Sequence, residues 1–291
     1  MTARPIIIIG AARSGTNFLR DLLAASARTR AVPYDVNSIW RYKAGPVPDD
    51  ALPVEDLSFE KRDFIRQTLR DQAGIPRGDT DTVLIEKTVS NTLRVPFVHR
   101  VFPEAHFIHL VRDGRDVTRS AMSMWQAKPD LGALWTKVKG APLSNLGYVL
   151  GFGANFIKGL LSGHDGGKTW GPRYPGFDAD LAERPLVEIC ARQWLHALSA
   201  ARRDLAELPP EQVHEIRYEA LVASRAPLEW LLQRVGLDGD QQVLGAYDEH
   251  VDRSASGHWR EAMTPEHQAR MLDCLTPALE QLGYLEKEAE A

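Results

Sequence analysis

A glycine loop near the N-terminus carries residue types that bind anions. The apolar run Ile6–Ile9 is followed directly by the sequence GAARSGT, residues 10–16. Where a buried strand enters a helix through such a loop, the loop N–H groups and the helix dipole converge on an anion. The spacing of Gly10 and Gly15 is similar to that of a Walker A loop, but the lysine of that motif is missing. Arg13 offers positive charge in its place, and the loop therefore indicates an anion-binding site.

A second group of cations follows a second apolar run. Residues 106–120 read HFIHLVRDGRDVTRS, which predicts a strand ending at Arg112 and then a helix. Open α/β sheets bind ligands at the carboxyl ends of their strands, so we expect Arg112 and Ser120 to share a second phosphate. Arg115, Asp116 and Arg119 fit a solvated helix face with local ion pairs equally well.

The elements that must position these residues follow an alternating order. Each short apolar run precedes a helical pattern, which is typical of a parallel sheet covered on both faces. The sequence therefore predicts an α/β fold with a central parallel sheet flanked by helices, similar to P-loop nucleotide-binding proteins. Predicted strands cover residues 5–9, 82–85, 106–111 and 213–218, and predicted helices cover residues 16–25, about 93–102, 115–125, 185–208, 227–235 and 264–282.

Composition excludes several classes of protein. The 291 residues are 44% hydrophobic and 25% charged, as in globular proteins with a large core. The formal net charge of -4 disfavours a general nucleic-acid binder. Two cysteines cannot build a disulfide framework, and they fit a reducing, cytoplasmic compartment. The most apolar long stretch, residues 143–161, is broken by asparagines, a lysine and glycines, so the sequence predicts no transmembrane segment.

Two motifs about a hundred residues apart carry a family resemblance. The sequence RSGTNFL after the first strand and LVRDGRDVTRS after the third resemble the sulfotransferases that use 3′-phosphoadenosine 5′-phosphosulfate (PAPS). The resemblance continues through EKT (86–88), FPEA (102–105), RYEAL (217–221) and SGHWR (256–260), in the family's order and over almost the whole chain. It fits the bacterial, tyrosylprotein and heparan-type members best.

The resemblance implies a donor site and a reaction. It implies that PAPS is the cofactor, that 3′,5′-ADP is its product, and that the sulfuryl group passes to a hydroxyl or amine by in-line displacement. The implied 5′-phosphosulfate site is the first loop, and the implied 3′-phosphate site is Arg112 with Ser120. The full set of implied donor-binding residues is Arg13, Ser14, Gly15, Thr16, Asn17, Phe18, Arg112, Ser120, Tyr218, Ser256, Gly257, His258, Trp259 and Arg260.

Catalysis needs cations near the sulfuryl group and a base for the acceptor proton. By resemblance, Lys87 contacts the sulfuryl group or the bridging oxygen, with Arg13 beside it. Cations can stabilise this charge without a metal, and the nine histidines show no metal-ligand spacing, so we expect no metal.

The base is open between two carboxylates. Relatives with a histidine two residues after the lysine differ here, because that position is Val89. Glu86 and Asp35 are the candidates, each at a position where some members carry a glutamate. If the strand continues through Lys87, alternation sends Glu86 and Lys87 to opposite sides, which favours Asp35.

We predict that an insertion in the sequence forms the part of the protein that binds the acceptor. We expect one domain, residues 1–291, with an insertion at about residues 126–183. Within it, Tyr148, Phe152 and Phe156 recur at helical spacing on a different side from an aliphatic stripe. This second face is either buried or turned to a hydrophobic ligand or membrane surface. We expect it to bind a small-molecule acceptor with a lipid-like or aromatic part.

Two other functions remain to be weighed. A P-loop nucleotide kinase-like phosphotransferase requires a lysine before Thr16 and a metal-holding aspartate at the strand end, where this chain has Gly15 and Arg112. A catalytically silent PAPS-binding protein would keep both phosphate motifs but lose Lys87 and the carboxylates, all of which are present.

Overall fold

The computed structural model describes residues 3–45, 47–127 and 170–285. Within them, five strands form one parallel sheet in the order β2-β3-β1-β4-β5. This confirms the predicted α/β fold. The strands are β1 (Ile6–Ile9), β2 (Thr29–Ala31), β3 (Val83–Glu86), β4 (His106–Val111) and β5 (Val213–Arg217).

Helices connect the strands and cover both faces of the sheet. Among the described residues, short 3-10 turns lie at Val54–Asp56, Val89–Leu93 and Pro210–Gln212. The α-helices within the described residues are α1 (Thr16–Ala24), α2 (Asn37–Trp40), α3 (Phe59–Gln72), α4 (Val95–Val101), α5 (Gly114–Gln126), α6 (Phe177–Glu183), α7 (Leu186–Leu205), α8 (Tyr218–Ala223), α9 (Ala226–Arg234), α10 (Gln241–His250), α11 (Trp259–Ala262) and α12 (Pro265–Gln281).

Strand alternation distributes the core between the two faces. Ile6 and Ile8 of β1 pack in a cluster with the leucines of α1 and with α9 and α10. Ile7 and Ile9 face the opposite cluster, which contains α3 and α4. Because all four isoleucines are at most 1% exposed, β1 is buried on both sides, as expected for a central parallel strand.

The connections after β1 and β4 leave the sheet on opposite faces. Helix α1 packs on the face of Ile6 and Ile8, whereas α5 packs with Val111 and α7 on the other face. Strands β1 and β4 are hydrogen-bonded neighbours, so a crevice opens between their carboxyl ends. This edge of the sheet is where the two anion-binding motifs were expected.

The predicted elements recur with small shifts at their ends. The strand at residues 106–111 matches β4, and α12 begins after Thr264, whose side chain accepts a hydrogen bond from His267 N. The sequence analysis assigned neither β2 nor α3. Most of the predicted insertion, including Tyr148, Phe152 and Phe156, lies outside the described residues. No helix in the described ranges is long and apolar enough to cross a membrane.

Candidate active site

The loop after β1 is shaped by close packing around its two glycines. A Cβ on Gly10 would lie 2.7 Å from Thr16 Cγ2 and 2.8 Å from the carbonyl oxygen of Leu110. Gly15 has φ +90°, and a Cβ there would lie 2.4 Å from the ring of Tyr218. Only glycine fits both positions, so the loop is held against β4 and Tyr218.

Arg13, Arg112, Ser120 and Tyr218 meet at this edge. Arg13 Nε donates to Ser120 Oγ at 2.9 Å, and Arg112 donates to the Arg13 carbonyl oxygen at 3.2 Å. The Arg112 guanidinium lies 4.2 Å from the Tyr218 ring centroid. Partial burial and the positive charges of Arg112 and Arg119 lower the pKa of Arg13. The structure thus brings together residues that are about a hundred or more positions apart.

Several buried polar atoms at this edge have no partner among the described residues. They are Ser14 Oγ, Arg112 Nε, Arg119 Nε and Ser256 Oγ. Buried donors are almost always satisfied in proteins, and leaving one unpaired costs ~1–3 kcal/mol. Each of these groups can donate to an oxygen, and the surrounding charge is positive. A ligand carrying phosphate or sulfate oxygens therefore fits this donor set.

The segment at residues 256–260 is fastened beside Arg112 by Asp116. The Asp116 carboxylate accepts from Gly257 N at 2.6 Å and from Trp259 N at 3.2 Å, and Arg112 donates to the Ala255 carbonyl oxygen at 2.5 Å. Trp259 is buried in the core, whereas His258 and Arg260 are exposed. Asp116 thus places this segment at the site.

The face of α5 that carries Arg115 and Asp116 is buried, whereas the sequence also allowed a face exposed to solvent. Both residues are buried, at 9% and 2% exposure. Arg115 pairs with Asp113 at 2.6 Å and lies over the Trp259 ring at 4.9 Å. The local ion pair is present, but it joins α5 to the C-terminal part of the fold and does not face water. Arg115 is therefore not available to a ligand.

Lys87 and Asp35 form an ion pair beyond the end of β3. Lys87 Nζ lies 2.9 Å from Asp35 Oδ1, which also accepts from Val89 N at 3.1 Å. The Lys87 side chain is 2% exposed, and that of Asp35 is 34% exposed. Because β3 neighbours β1, this pair lies along the same edge as the glycine loop. The carboxylate of Asp35 remains accessible to a second reactant.

Glu86, the other candidate base, is completely enclosed. Its carboxylate accepts from Thr88 Oγ1 at 2.6 Å, Trp40 Nε1 at 3.1 Å and Asn91 Nδ2 at 2.9 Å. Burial raises the pKa of Glu86, and the hydrogen bonds from Thr88 and Trp40 oppose that rise. Strand β3 ends at Glu86, so the alternation argument holds only as far as this residue. Its 0% exposure favours Asp35 as the carboxylate that meets an acceptor.

The remaining predicted residues of the first loop are divided between surface and core. Thr16 is buried at the start of α1, Asn17 is exposed, and Phe18 packs against the cluster beneath α1.

A buried polar residue near the site was not found from the sequence. Asp50 accepts from Asn37, Ser90 and the backbone N–H of Arg173, at 2.8, 2.9 and 3.0 Å. No local sequence pattern marks Asp50, because its partners lie 13, 40 and 123 positions away in the chain.

Three of the described histidines make contacts between neighbouring strands. His106 lies 3.1 Å from His214, and His109 lies 3.1 Å from Glu215, both across β4 and β5. Among the described residues, no group of three His, Cys, Asp or Glu side chains could hold a metal ion.

Comparison with known proteins gives a family match for the N-terminal part of the chain. A model of the sulfotransferase family matches residues 5–138, which contain the glycine loop, the Lys87–Asp35 pair, β4 and α5. Over these residues the chain is similar to the sulfotransferase family. No curated protein sequence matches the chain at a significant level.

Solved sulfotransferases share the fold of the whole chain. Sulfotransferase STF9 from Mycobacterium avium is 12% identical with a TM-score of 0.55, and the match covers 97% of this chain and 77% of that protein. The sulfotransferase domain of the Synechococcus PCC 7002 olefin synthase is 16% identical, with a TM-score of 0.52 and coverage of 98% and 97%. A sulfotransferase from Alicyclobacillus acidocaldarius is 15% identical, with a TM-score of 0.52 and coverage of 97% and 95%.

Proposed function

We propose that this protein transfers a sulfuryl group from PAPS to a hydroxyl or amine of an acceptor that has an apolar part. One observation carries the proposal. An uncompensated arginine cluster with unpaired buried donors and a lysine–carboxylate pair lie along one edge of the sheet, within the described residues. Anion binding and proton removal are the two tasks that sulfuryl transfer requires of the protein.

The donor-binding residues would divide between the ends of β1 and β4. The loop at residues 13–18 would hold the 5′-phosphosulfate, with N–H groups at the start of α1 and the Arg13 side chain. Arg112 and Ser120 would hold the 3′-phosphate, with Tyr218 stacked on Arg112 and the segment 256–260 beside it. When bound, PAPS supplies the activated sulfuryl group.

Lys87 and Asp35 would act on the reacting groups. Lys87 would neutralise negative charge on the sulfuryl and leaving oxygens, because its buried ammonium group acts in a medium of low dielectric constant. Asp35 would take the acceptor proton, since its carboxylate is the accessible one of the two candidates. Glu86 is the alternative base.

A binding experiment separates this function from its alternatives. Calorimetry with 3′,5′-ADP should show saturable binding, whereas ATP with Mg²⁺ should bind at least tenfold more weakly. A screen of hydroxyl and amine acceptors with PAPS should then give products heavier by one sulfuryl group. Tight ATP binding without 3′,5′-ADP binding would instead indicate a phosphotransferase. Binding of 3′,5′-ADP with no transfer to any acceptor would indicate a silent PAPS-binding protein.

A further inference from the structure

The carboxylate of Glu86 lies next in the chain to Lys87 of the proposed reaction centre, yet it is completely enclosed. We propose that Glu86 is a positioning residue, which fixes the Lys87–Asp35 pair through the hydroxyl of Thr88. The inference rests on the proposed function for its catalytic consequence. Its structural part, the control of backbone contacts around Asp35, can be measured without any substrate.

The hydroxyl of Thr88 joins Glu86 to the segment that carries Asp35. Thr88 Oγ1 donates to Glu86 Oε1 at 2.6 Å and accepts from Val36 N at 3.2 Å. A hydroxyl has a single proton, so donation to Glu86 leaves a lone pair for Val36. The next residue, Val89, donates its N–H to Asp35 Oδ1. Two reciprocal bonds therefore clasp residues 35–36 against residues 88–89.

The other contacts of Glu86 hold it in a single orientation. Trp40 Nε1 and Asn91 Nδ2 donate to its two oxygens, and the opposite end of the Asn91 amide accepts from Arg94 Nε at 2.8 Å. Arg94 is 1% exposed. Both oxygens of the Glu86 carboxylate thus accept hydrogen bonds from donors on surrounding side chains. A base would have to leave these donors to reach an acceptor, whereas a positioning residue must keep them.

An exchange of chemical groups between Glu86 and Asn91 separates the two roles. In Glu86→Gln, the new amide nitrogen opposes either the amide nitrogen of Asn91 or, in the other orientation, the donors Trp40 Nε1 and Thr88 Oγ1. The second orientation takes away the acceptor of the Thr88 hydroxyl and so loosens the clasp. In the double variant Glu86→Gln with Asn91→Asp, the new amide at position 86 can accept from Thr88 and Trp40 and donate to the new carboxylate at position 91. That carboxylate can still accept from Arg94. The double variant restores every hydrogen bond but moves the negative charge away from position 86.

Thr88 provides an independent pair of variants with little change in volume. Thr88→Val removes the bridging hydroxyl, and Thr88→Ser keeps it. If the clasp depends on that hydroxyl, the valine variant should behave as Glu86→Gln does, and the serine variant should behave as the wild-type protein does. This pair also covers the case in which Glu86→Gln fails to fold.

Two measurements decide the inference. By amide hydrogen exchange without ligands, Val36 N–H should exchange at least tenfold faster in Glu86→Gln and Thr88→Val, and near the wild-type rate in the double variant and Thr88→Ser. With PAPS and an acceptor from the screen, kcat should fall about 10- to 100-fold in the first two and return to within about threefold in the others. The Kd for 3′,5′-ADP should stay within about twofold throughout.

Each contrary outcome overturns the inference. Unchanged exchange of Val36 in Glu86→Gln shows that Glu86 does not hold the clasp. Restored exchange with kcat still as low as in Glu86→Gln shows that the Glu86 carboxylate itself takes part in the reaction. Absence of sulfuryl transfer by the wild-type protein refutes the proposed function alone, because the exchange measurement still tests the clasp.

Discussion

At the scale of single residues, the site is defined by positive charges that have no ion-pair partner among the residues that the structure describes. Partial burial lowers the pKa of Arg13, and the charges of Arg112 and Arg119 lower it further. Ser120 and the Tyr218 ring contact these guanidinium groups, but neither carries a negative charge. Each charge-assisted hydrogen bond to a bound anion is worth ~1.5–3 kcal/mol. Binding an anion therefore relieves repulsion that the folded protein otherwise retains.

Arg112→Ala should weaken binding of 3′,5′-ADP at least tenfold. The reason is that loss of one charge-assisted hydrogen bond costs ~1.5–3 kcal/mol. Binding of adenosine 5′-phosphosulfate, which lacks the 3′-phosphate, should change much less. Calorimetry with both ligands measures the difference, and Arg77→Ala, at an 80% exposed side chain, is the matched loss of charge. Equal weakening of both ligands would place Arg112 away from the 3′-phosphate.

Lys87→Ala and Asp35→Asn should lower kcat by different routes. Lys87→Ala should reduce turnover severely with little change in the Kd for 3′,5′-ADP, because that product lacks the sulfuryl group. Asp35→Asn should reduce kcat about 10²–10⁴-fold and remove the fall in rate at acidic pH that protonation of a base produces. Stopped-time assays at saturating PAPS, from acidic to alkaline pH, test both. If the rate of Asp35→Asn still falls at acidic pH as in the wild-type protein, Asp35 is not the base.

At the scale of elements, the sequence patterns revealed the strands in which most residues are buried. Strands β1, β3 and β4 are buried at every residue, so each appears in the sequence as an apolar run. Strand β2 has three residues, of which one is buried. Helix α3 has 14 residues, FEKRDFIRQTLRDQ, and only Ile65 and Leu69 are buried. Its charged surface hides the narrow apolar stripe.

The polar contacts of Asp50 could not be found from any local sequence pattern. Asp50 joins α2 and the turn after β3 to Arg173, and the partners are 13, 40 and 123 positions away. The hydrogen bond from Asp50 N to the Arg173 carbonyl oxygen completes this contact at 2.8 Å. No period in the sequence encodes such a contact, because it depends on the tertiary path of the chain. The glycine loop and Arg112, by contrast, follow strands directly and could be found.

Asp50→Asn should uncouple residues 170–174 from the reaction centre. An amide nitrogen would face donors that Asp50 now accepts from, so the free energy of unfolding should fall by ~1–3 kcal/mol. Because residues 170–174 lie in the C-terminal part of the predicted acceptor-side insertion, the acceptor KM should rise while the Kd for 3′,5′-ADP stays constant. Chemical denaturation and steady-state kinetics measure the two effects.

Asp178→Asn is the matched control for this change. Asp178 also pairs with Arg173, at 2.6 Å, but its side chain is 64% exposed. Exposed ion pairs contribute only about 0–1 kcal/mol, so stability and KM should hardly change. If both variants alter the acceptor KM equally, the hydrogen bond from Arg173 N to the Asp50 carboxylate does not control acceptor binding.

At the scale of the whole molecule, the groups that set pH stability lie apart from the proposed chemistry. His106 is the first residue of β4, and Arg112 follows the last, so they stand at opposite edges of the sheet. His106 and His214 pair across β4 and β5. Burial, with the nearby charges of Arg4 and His214, lowers the pKa of His106 to about 4. Burial also lowers the pKa of His214. Acidic pH should therefore weaken the fold from the edge of the sheet opposite Arg112.

The folded protein should lose stability as the pH falls from about 6.5 towards 4. A histidine whose pKa is lower in the folded state than in the unfolded state takes up its proton more readily on unfolding, so its contribution is complete above about pH 6.5 and is lost below it. With a folded pKa of about 4, His106 should account for ~1–2 kcal/mol between about pH 7 and pH 5. Urea denaturation at these two pH values measures the loss of stability.

His106→Gln should lose clearly less stability than the wild-type protein over the same interval, because glutamine does not titrate. His250→Gln, at the exposed end of α10, should keep the wild-type dependence. If His106→Gln keeps it as well, the acid sensitivity of the fold arises elsewhere, and the buried pair between β4 and β5 is not its source.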